Sequence, residues 1–274
     1  MEVLSVSTPQ EFLELTSGFR AAEPYLTNVI GSIAVGVVSG REYESCHWWI
    51  AREGSEIAGI AVRTAPHNLV LSPMEDAALA ALAASVTKTF PHLPGVSGAP
   101  AHTAAFERLL CPAESKVTMQ DVVYIMRDFT PATAPGASRR TNASDADMLL
   151  EWSQLFAKDA GIPIFKAAAA VDRLLAAGWI WEVDGEPTAM AGHAFLVGEP
   201  GSVVGRVGPV FTPMQHRRRG YGAAVTSAVV EHLQGVCDHI MLYADALNPT
   251  SNGVYQRLGF VEYAQLLEVE FTYT

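Results

Sequence analysis

The sequence has few cysteines and few basic residues, and it has no long apolar run. Its three cysteines, Cys46, Cys111 and Cys237, are far apart and lack metal-ligand spacing, which favours a reducing compartment. The 18 Lys and Arg against 29 Asp and Glu leave a net charge of −11, which argues against a nucleic-acid-binding face. No run is long enough to span a bilayer, and the first residues lack a leader pattern. We therefore expect a cytoplasmic protein without nucleic-acid, membrane or metal partners.

What the sequence does contain is enough apolar residues for a large core, arranged in two similar halves. Hydrophobic residues make up 49% of the 274 positions. The segment 130–141 is rich in Pro, Ala, Gly and Ser, which is typical of an interdomain linker. Apolar runs on both sides of Gly54 and of Gly185 predict matching β-hairpins. Such hairpins also occur without duplication, but we predict a duplicated chain with domains at 1–129 and 142–274.

Apolar periodicity and turn residues predict the same order of elements in both halves. In the second half we expect helices at 144–158, 164–177, 219–234 and 250–258 and strands at 179–184, 188–197, 202–211, 239–245 and 260–271. In the first half we expect helices at 75–89 and 101–110 and strands at 48–53, 57–63, 68–71, 95–98 and 117–129. The predicted fold class is therefore α/β (α+β), with mixed sheets flanked by helices.

Positive charge is concentrated at one glycine-rich turn, Arg217-Arg218-Arg219-Gly220-Tyr221-Gly222-Ala223, between a predicted strand and a predicted helix. The first amides of a helix are unpaired and lie at the positive end of its dipole, so they attract anions. Glycines let a phosphate approach the backbone, and arginines add charge-assisted hydrogen bonds. This pattern predicts a phosphate site, although a basic turn that simply starts a helix has the same appearance.

A second motif follows: Asn248 and Pro249 open a helix that carries Asn252 and Tyr255 on one face, and Leu258-Gly259-Phe260 ends it. Together, Arg217-x-x-Gly220-x-Gly222 and this second motif resemble the GNAT superfamily of N-acetyltransferases over residues 140–274. The resemblance implies two GNAT-like domains, each a mixed, mostly antiparallel sheet flanked by helices. The first half would be a degenerate copy.

The resemblance also implies acetyl-CoA as cosubstrate and a role for each matching residue. The backbone of Val210, Phe211 and Thr212 would pair with the pantetheine arm, and the Val210 amide would polarise the thioester carbonyl. Amides from Arg217 to Ala223 would bind the pyrophosphate. Asn248, Ser251 and Asn252 would contact the coenzyme, and Tyr255 would protonate the departing thiolate. The acceptor would be a primary amine on a small molecule or peptide, attacking directly in a ternary complex, and a homodimer is one possible assembly.

The strand 202–211 has no carboxylate that could accept the proton of the amine, since Arg206 is its only charged residue. Glu182, His193 and Asp245 are candidates. Each also has a structural interpretation, as a strand, core or turn residue, and a water chain is a further alternative. His216 is expected to be a surface residue. Four aromatic residues line either an acceptor pocket or the core: Trp152, Phe156, Trp179 and Trp181.

The first half has a similar lead-in without the basic turn. Leu71-Ser72-Pro73-Met74 resembles Phe211-Thr212-Pro213-Met214, but the acidic Glu75 and Asp76 follow it. Carboxylates repel a pyrophosphate, so we predict that the first half does not bind acetyl-CoA. Two alternatives to an amine acetyltransferase with a single active site stay open: a non-catalytic acyl-CoA sensor and a tandem acyltransferase of small-thiol biosynthesis.

Overall fold

The computed structural model describes residues 1–161 and 166–274. The elements up to residue 126 are β1 (Glu2–Val6), α1 (Pro9–Leu15), α2 (Ser17–Ala22), α3 (Asn28–Val38), β2 (Cys46–Glu53), β3 (Glu56–Thr64), β4 (Leu69–Leu71), α4 (Asp76–Thr89), β5 (Gly95–Gly98), α5 (Pro100–Leu110) and β6 (Glu114–Met126). The later elements are β7 (Ala137–Arg140), α6 (Ala146–Asp159), α7 (Lys166–Ala177), β8 (Gly178–Val183), β9 (Glu186–His193), β10 (Val204–Phe211), α8 (Tyr221–Gln234), β11 (His239–Asp245), α9 (Pro249–Arg257) and β12 (Phe260–Thr272).

The predicted strands and helices are confirmed within a few residues, and the predicted fold class is confirmed. Positions 164 and 165 of the predicted helix 164–177 lie outside the described residues. The sequence patterns did not predict β1, α1, α2 and α3. The seven-residue helix α1 is too short to show a full periodic pattern; its start is set by Thr8, whose side chain accepts a hydrogen bond from the Glu11 amide.

Two compact units divide the described chain. The first consists of Met1–Val123, Val197–Ser202 and Tyr263–Thr274, and the second of Tyr124–Leu196 and Val203–Glu262.

The predicted linear division into 1–129, a linker at 130–141 and 142–274 therefore differs from the observed units. The end of the chain joins the first unit because β12 pairs antiparallel with β5, from Leu267↔Gly98 to Glu270↔Gly95. The predicted linker also contains β7, which pairs with β8.

In the first unit the strands lie in the order β1-β2-β3-β4-β5-β12, antiparallel except for the parallel pair β4/β5. Successive residues of β2 face opposite sides of the sheet. Trp48 packs with Phe12 and Ile30, whereas Trp49 packs with Leu82 of α4. Both faces of this sheet are therefore covered by helices.

In the second unit the order is β7-β8-β9-β10-β11, antiparallel except for the parallel pair β10/β11. On one face α6 and α7 bring Trp152 and Leu174 against Met190 of β9. On the other face lies α8, since a Cβ built on Gly205 of β10 would meet the Leu233 side chain of α8 at 2.7 Å. The hairpin β8–β9 has the predicted turn, with φ of 52° at Asp184 and 82° at Gly185.

Candidate functional site

The candidate site begins where β10 separates from β11. Their parallel register ends at Val207↔Leu242, whereas β10 continues to Phe211 and β11 to Asp245. On its other edge β10 pairs with β9, and a β-bulge between Val207 and Val210 shifts that register. Within the described residues, the last part of β10 therefore has an edge without a ladder to β11. An extended molecule that carries amide groups can add to such an edge as a strand does.

In the turn after β10, the backbone amides from Arg218 to Ala223 have no hydrogen-bond partner among the described residues. A short 3-10 helix (Met214–His216) leads to Arg218, with φ of 62°, and to Gly220, which caps α8 with φ of 87°. Glycine adopts this value without strain. A Cβ on Gly222 would lie 3.1 Å from the Thr212 hydroxyl oxygen, so a side chain there crowds the approach to the helix end. The turn has the geometry of an anion site.

The three arginines of the turn have different surroundings. Arg217 donates from Nε to the Thr212 carbonyl oxygen at 2.9 Å, and its Nη2 forms an ion pair with Asp159 at the end of α6. Arg218 and Arg219 are exposed, and within the described residues neither has an ion-pair partner. The side chain of Arg217 therefore stabilises the turn, whereas Arg218 and Arg219 are available to a bound anion.

His216 corrects one expectation, because it is buried and not a surface residue. It occupies the end of the 3-10 helix, where its backbone amide donates to the Pro213 carbonyl oxygen at 2.9 Å. Its ring Nε2 lies 3.4 Å from Oε1 of Glu186, the first residue of β9. The ring thus anchors the turn to the sheet.

The start of α9 lies beyond the end of β11. Asn248 caps the helix, since its side-chain oxygen accepts from the Ser251 amide at 3.1 Å. Asn252 donates from Nδ2 to the Asp245 carbonyl oxygen at 3.1 Å. Its buried Oδ1 has no hydrogen-bond partner within the described residues, so it is an acceptor available to a ligand amide. Asp245 accepts from the Leu247 amide at 2.8 Å, which agrees with its interpretation as a turn residue.

Tyr255 projects from α9 and lies next to two aromatic rings. Its ring centroid is 6.4 Å from that of Tyr124 and 6.1 Å from that of Phe260. Burial raises the pKa of Tyr255 to about 12. The hydroxyl therefore stays protonated at neutral pH and can donate a proton or a hydrogen bond.

Tyr124 is a neighbour of the site that sequence reasoning missed. It lies on β6, is fully buried, and donates from its hydroxyl to Oε1 of Glu262 at 3.3 Å. Burial, followed by the charge of Glu262, raises the pKa of Tyr124. Within the apolar segment 122–126 a tyrosine has the pattern of an ordinary core residue, and its position beside Tyr255 depends on a contact across 131 positions of sequence.

The contacts of Glu182 favour its structural interpretation. Its Oε1 accepts from Nε of Arg139 at 2.7 Å. Arg139 also holds Asp145 with two hydrogen bonds of 2.8 Å, and this lowers the pKa of Asp145. A carboxylate engaged in this way stabilises β7 against β8, and it would have to leave an ion pair to act as a base.

His193 lies on the face of the sheet that α8 covers. Its ring stacks on His232 with centroids 5.8 Å apart and lies 6.0 Å from the ring of Trp179. Trp179 also contacts the His232 ring at 4.9 Å and the Arg140 guanidinium at 4.0 Å. Desolvation lowers the pKa of His193, which keeps the ring neutral. These contacts favour the structural interpretation of His193 as a packed residue. Trp152 and Trp179 are likewise buried core residues, while Trp181 donates to the Pro135 carbonyl oxygen at 2.8 Å.

Comparisons with known proteins identify chains with a similar fold. The family model described as FR47-like protein matches residues 188–269. An acetyltransferase from the GNAT family of Colwellia psychrerythraea aligns over 99% of this chain and 100% of its own, with a TM-score of 0.62 and 10% identity. A tandem GNAT protein from the clavulanic acid biosynthesis pathway aligns over 98% of both chains, with a TM-score of 0.60 and 13% identity.

A GCN5-related N-acetyltransferase from Sphaerobacter thermophilus also aligns, over 98% of this chain and 95% of its own, with a TM-score of 0.60 and 12% identity. No curated protein sequence is detectably similar to the chain. The predicted resemblance is thus confirmed for the fold: the chain has the tandem GNAT fold. The roles of individual site residues stay predictions.

The described residues contain no cluster of three or more His, Cys, Asp or Glu side chains able to hold a metal ion. Among the same residues, none of the helices has the length and apolar character needed to cross a membrane.

Proposed function

We propose that the protein is an acetyl-CoA-dependent N-acetyltransferase with one active site, in the second unit, that acts on a primary amine. One observation carries this proposal: the edge of β10 beyond its bulge is open and leads directly into the glycine turn that starts α8. An open strand edge followed by unpaired helix amides suits a ligand made of an amide-containing arm joined to a pyrophosphate.

The residues fit such a coenzyme. The edge from Val210 to Thr212 offers backbone groups to the pantetheine arm, and the buried acceptor Oδ1 of Asn252 suits one of the amides of that arm. The amides from Arg218 to Ala223 would bind the pyrophosphate, with the side chains of Arg218 and Arg219 beside it; the Arg217 amide, included in the predicted set, already donates to the Met214 carbonyl oxygen at 3.3 Å. Asn248 and Ser251 would contribute by fixing the start of α9.

Bound acetyl-CoA would supply the thioester whose carbonyl carbon the amine attacks. The Val210 amide would donate to the carbonyl oxygen, where negative charge develops. Tyr255 would donate its proton to the sulfur as the carbon–sulfur bond breaks and the carbon–nitrogen bond forms. We assign the proton of the amine to a water chain, because Glu182 is ion-paired and His193 is packed under α8.

Calorimetric titration of acetyl-CoA into the full chain tests the coenzyme site, and we expect one molecule bound per chain. Mass spectrometry after incubation with acetyl-CoA and a panel of small amines, peptides and aminoglycosides then tests the reaction, and we expect an acceptor that gains one acetyl group. Absence of acetyl-CoA binding would contradict the proposal. Two molecules per chain would contradict the assignment to the second unit alone.

A further inference from the structure

Arg206 is a half-buried arginine of β10 that the proposed mechanism does not use. Its guanidinium carbon lies 5.1 Å from the ring centroid of Tyr243 on β11. Within the described residues it has no ion pair and no side-chain hydrogen bond. A partly buried charge without a counter-ion is costly, and in an acidic chain carboxylates are plentiful. The absence of a counter-ion among the described residues suggests that the partner is a ligand.

Arg206 lies on the face of the sheet opposite to α8. Its neighbour Gly205 faces Leu233 of α8, and successive strand residues alternate between faces. Val207, on the next position, pairs with His193, which also lies under α8. Arg206 therefore projects to the same side as α6 and α7.

The guanidinium of Arg206 also points toward the end at which β10 and β11 separate. Arg206 is in register with Met241, whereas the ring it covers belongs to Tyr243, two residues further along the parallel strand. Tyr243 is one residue past the last pair, Val207↔Leu242, and so lies level with Gly208 of β10. From there to Val210 is two residues, which is about 7 Å in a regular strand and less here, because the bulge between Val207 and Val210 inserts an extra residue.

This spacing limits the length of an acceptor. A guanidinium holds a carboxylate oxygen at about 2.8 Å, and an attacking amine must come within about 3–3.5 Å of the carbonyl carbon. These two distances take up most of the available span, so the amine and the anionic group have to be close together in the same molecule.

Resting on the proposed function, we propose that Arg206 binds the carboxylate of the acceptor, and that the acceptor is a short amino carboxylate such as an amino acid. The planar fork of arginine matches a carboxylate with two parallel hydrogen bonds. The Tyr243 ring contacts one face of the guanidinium, so the N–H edge of the guanidinium is available to the carboxylate. The amino group of the ligand then lies beside Val210.

The test measures binding to the full chain saturated with coenzyme A, by calorimetry, with glycine, β-alanine and phenylalanine and with their decarboxylated counterparts methylamine, ethylamine and 2-phenylethylamine. We expect at least one amino acid to bind at least about 10-fold more tightly than its amine, as a charge-assisted pair predicts. Arg206→Gln should remove this preference, and Arg206→Lys should restore part of it. Arg52→Gln, which breaks an exposed ion pair with Glu2, is the matched control and should leave the preference unchanged.

The outcomes separate this inference from the proposed function. If acetyl-CoA itself does not bind, both are overturned. If acetyl-CoA binds but no amino acid is preferred, or if Arg206→Gln keeps the preference, the carboxylate site alone is overturned. Tighter binding of phosphoethanolamine than of any amino acid in the panel would also overturn it, because the anionic group would then be a phosphate.

Discussion

The helices α4 and α8 occupy the same place in the two units, after the first strand of a parallel pair, but they begin differently. In α4 the first turn contains Asp76 and follows Glu75, so the positive end of the helix dipole has its own carboxylates. In α8 the first turn has no acid and follows Arg218, Arg219 and Gly220. The start of α8 therefore suits an external anion, whereas the start of α4 repels one.

The two parallel strand pairs, β4/β5 and β10/β11, also differ at their ends. A Cβ built on Gly98 at the end of β5 would contact the Leu71 Cβ at the end of β4 at 3.3 Å, so this pair stays together to its ends. Met74 packs against Gly59, and its backbone lies within 3.0 Å of Nε2 of His102. The corresponding place beyond β10 has an open strand edge. The comparison teaches that the two units share the parallel strand pair but differ at its end, and the open edge in the second unit is the feature on which the proposed coenzyme site rests.

The most severe test of this comparison is Gly222→Glu, at the second residue of α8. The new carboxylate would crowd the Thr212 hydroxyl and repel a pyrophosphate, and we expect acetyl-CoA affinity to fall at least about 1,000-fold, since several charge-assisted hydrogen bonds are lost. Calorimetry measures the affinity. Ala77→Glu, at the second residue of α4, is the matched control and should bind acetyl-CoA like the wild type. Retained binding in Gly222→Glu, with an unchanged melting temperature, would show that the site lies elsewhere.

Tyr255→Phe separates an enzyme from an acyl-CoA sensor. Removal of the hydroxyl should lower kcat about 100-fold, as loss of a general acid does, while the acetyl-CoA affinity stays within about twofold. Rates with the acceptor found by mass spectrometry and a calorimetric titration give the two values. Tyr263→Phe, which removes an exposed hydroxyl bonded to Glu23 in the first unit, is the control. Unchanged turnover in Tyr255→Phe would exclude Tyr255 as the acid.

A smaller effect distinguishes the arginines from one another. The double change Arg218→Gln, Arg219→Gln should weaken acetyl-CoA binding about 10-fold and reduce its salt dependence, with no loss of thermal stability. Arg217→Gln should instead lower the melting temperature, because it removes the contacts with Thr212 and Asp159. Calorimetry at two salt concentrations and thermal unfolding measure both. The reverse assignment of the two effects would contradict the division of roles proposed for this turn.

Local features of the site could be predicted from the sequence because they depend on neighbouring residues. The positive φ of Gly220 requires glycine, and the cap at Asn248 needs a short polar side chain three residues before the amide that it accepts from. The pairs Tyr124–Tyr255 and Arg217–Asp159 could not be predicted, since each joins distant parts of the chain. The pairing of β12 with β5 is missed for the same reason, because strand pairing is set by tertiary packing and not by local pattern.

Alkaline unfolding gives the smallest expected effect and probes the burial of Tyr255. A tyrosine in the unfolded chain loses its proton near pH 10, whereas burial raises the pKa of Tyr255 in the folded chain to about 12. The folded state keeps a proton that the unfolded state releases, so this contribution to stability is complete below pH 10 and is lost as the pH rises from 10 to 12. Tyr255→Phe removes the contribution, and its urea midpoint should fall less between pH 9 and pH 11 than that of the wild type. Equal falls would mean that the hydroxyl of Tyr255 is solvated in the folded protein, which would contradict the burial that distinguishes this part of the second unit.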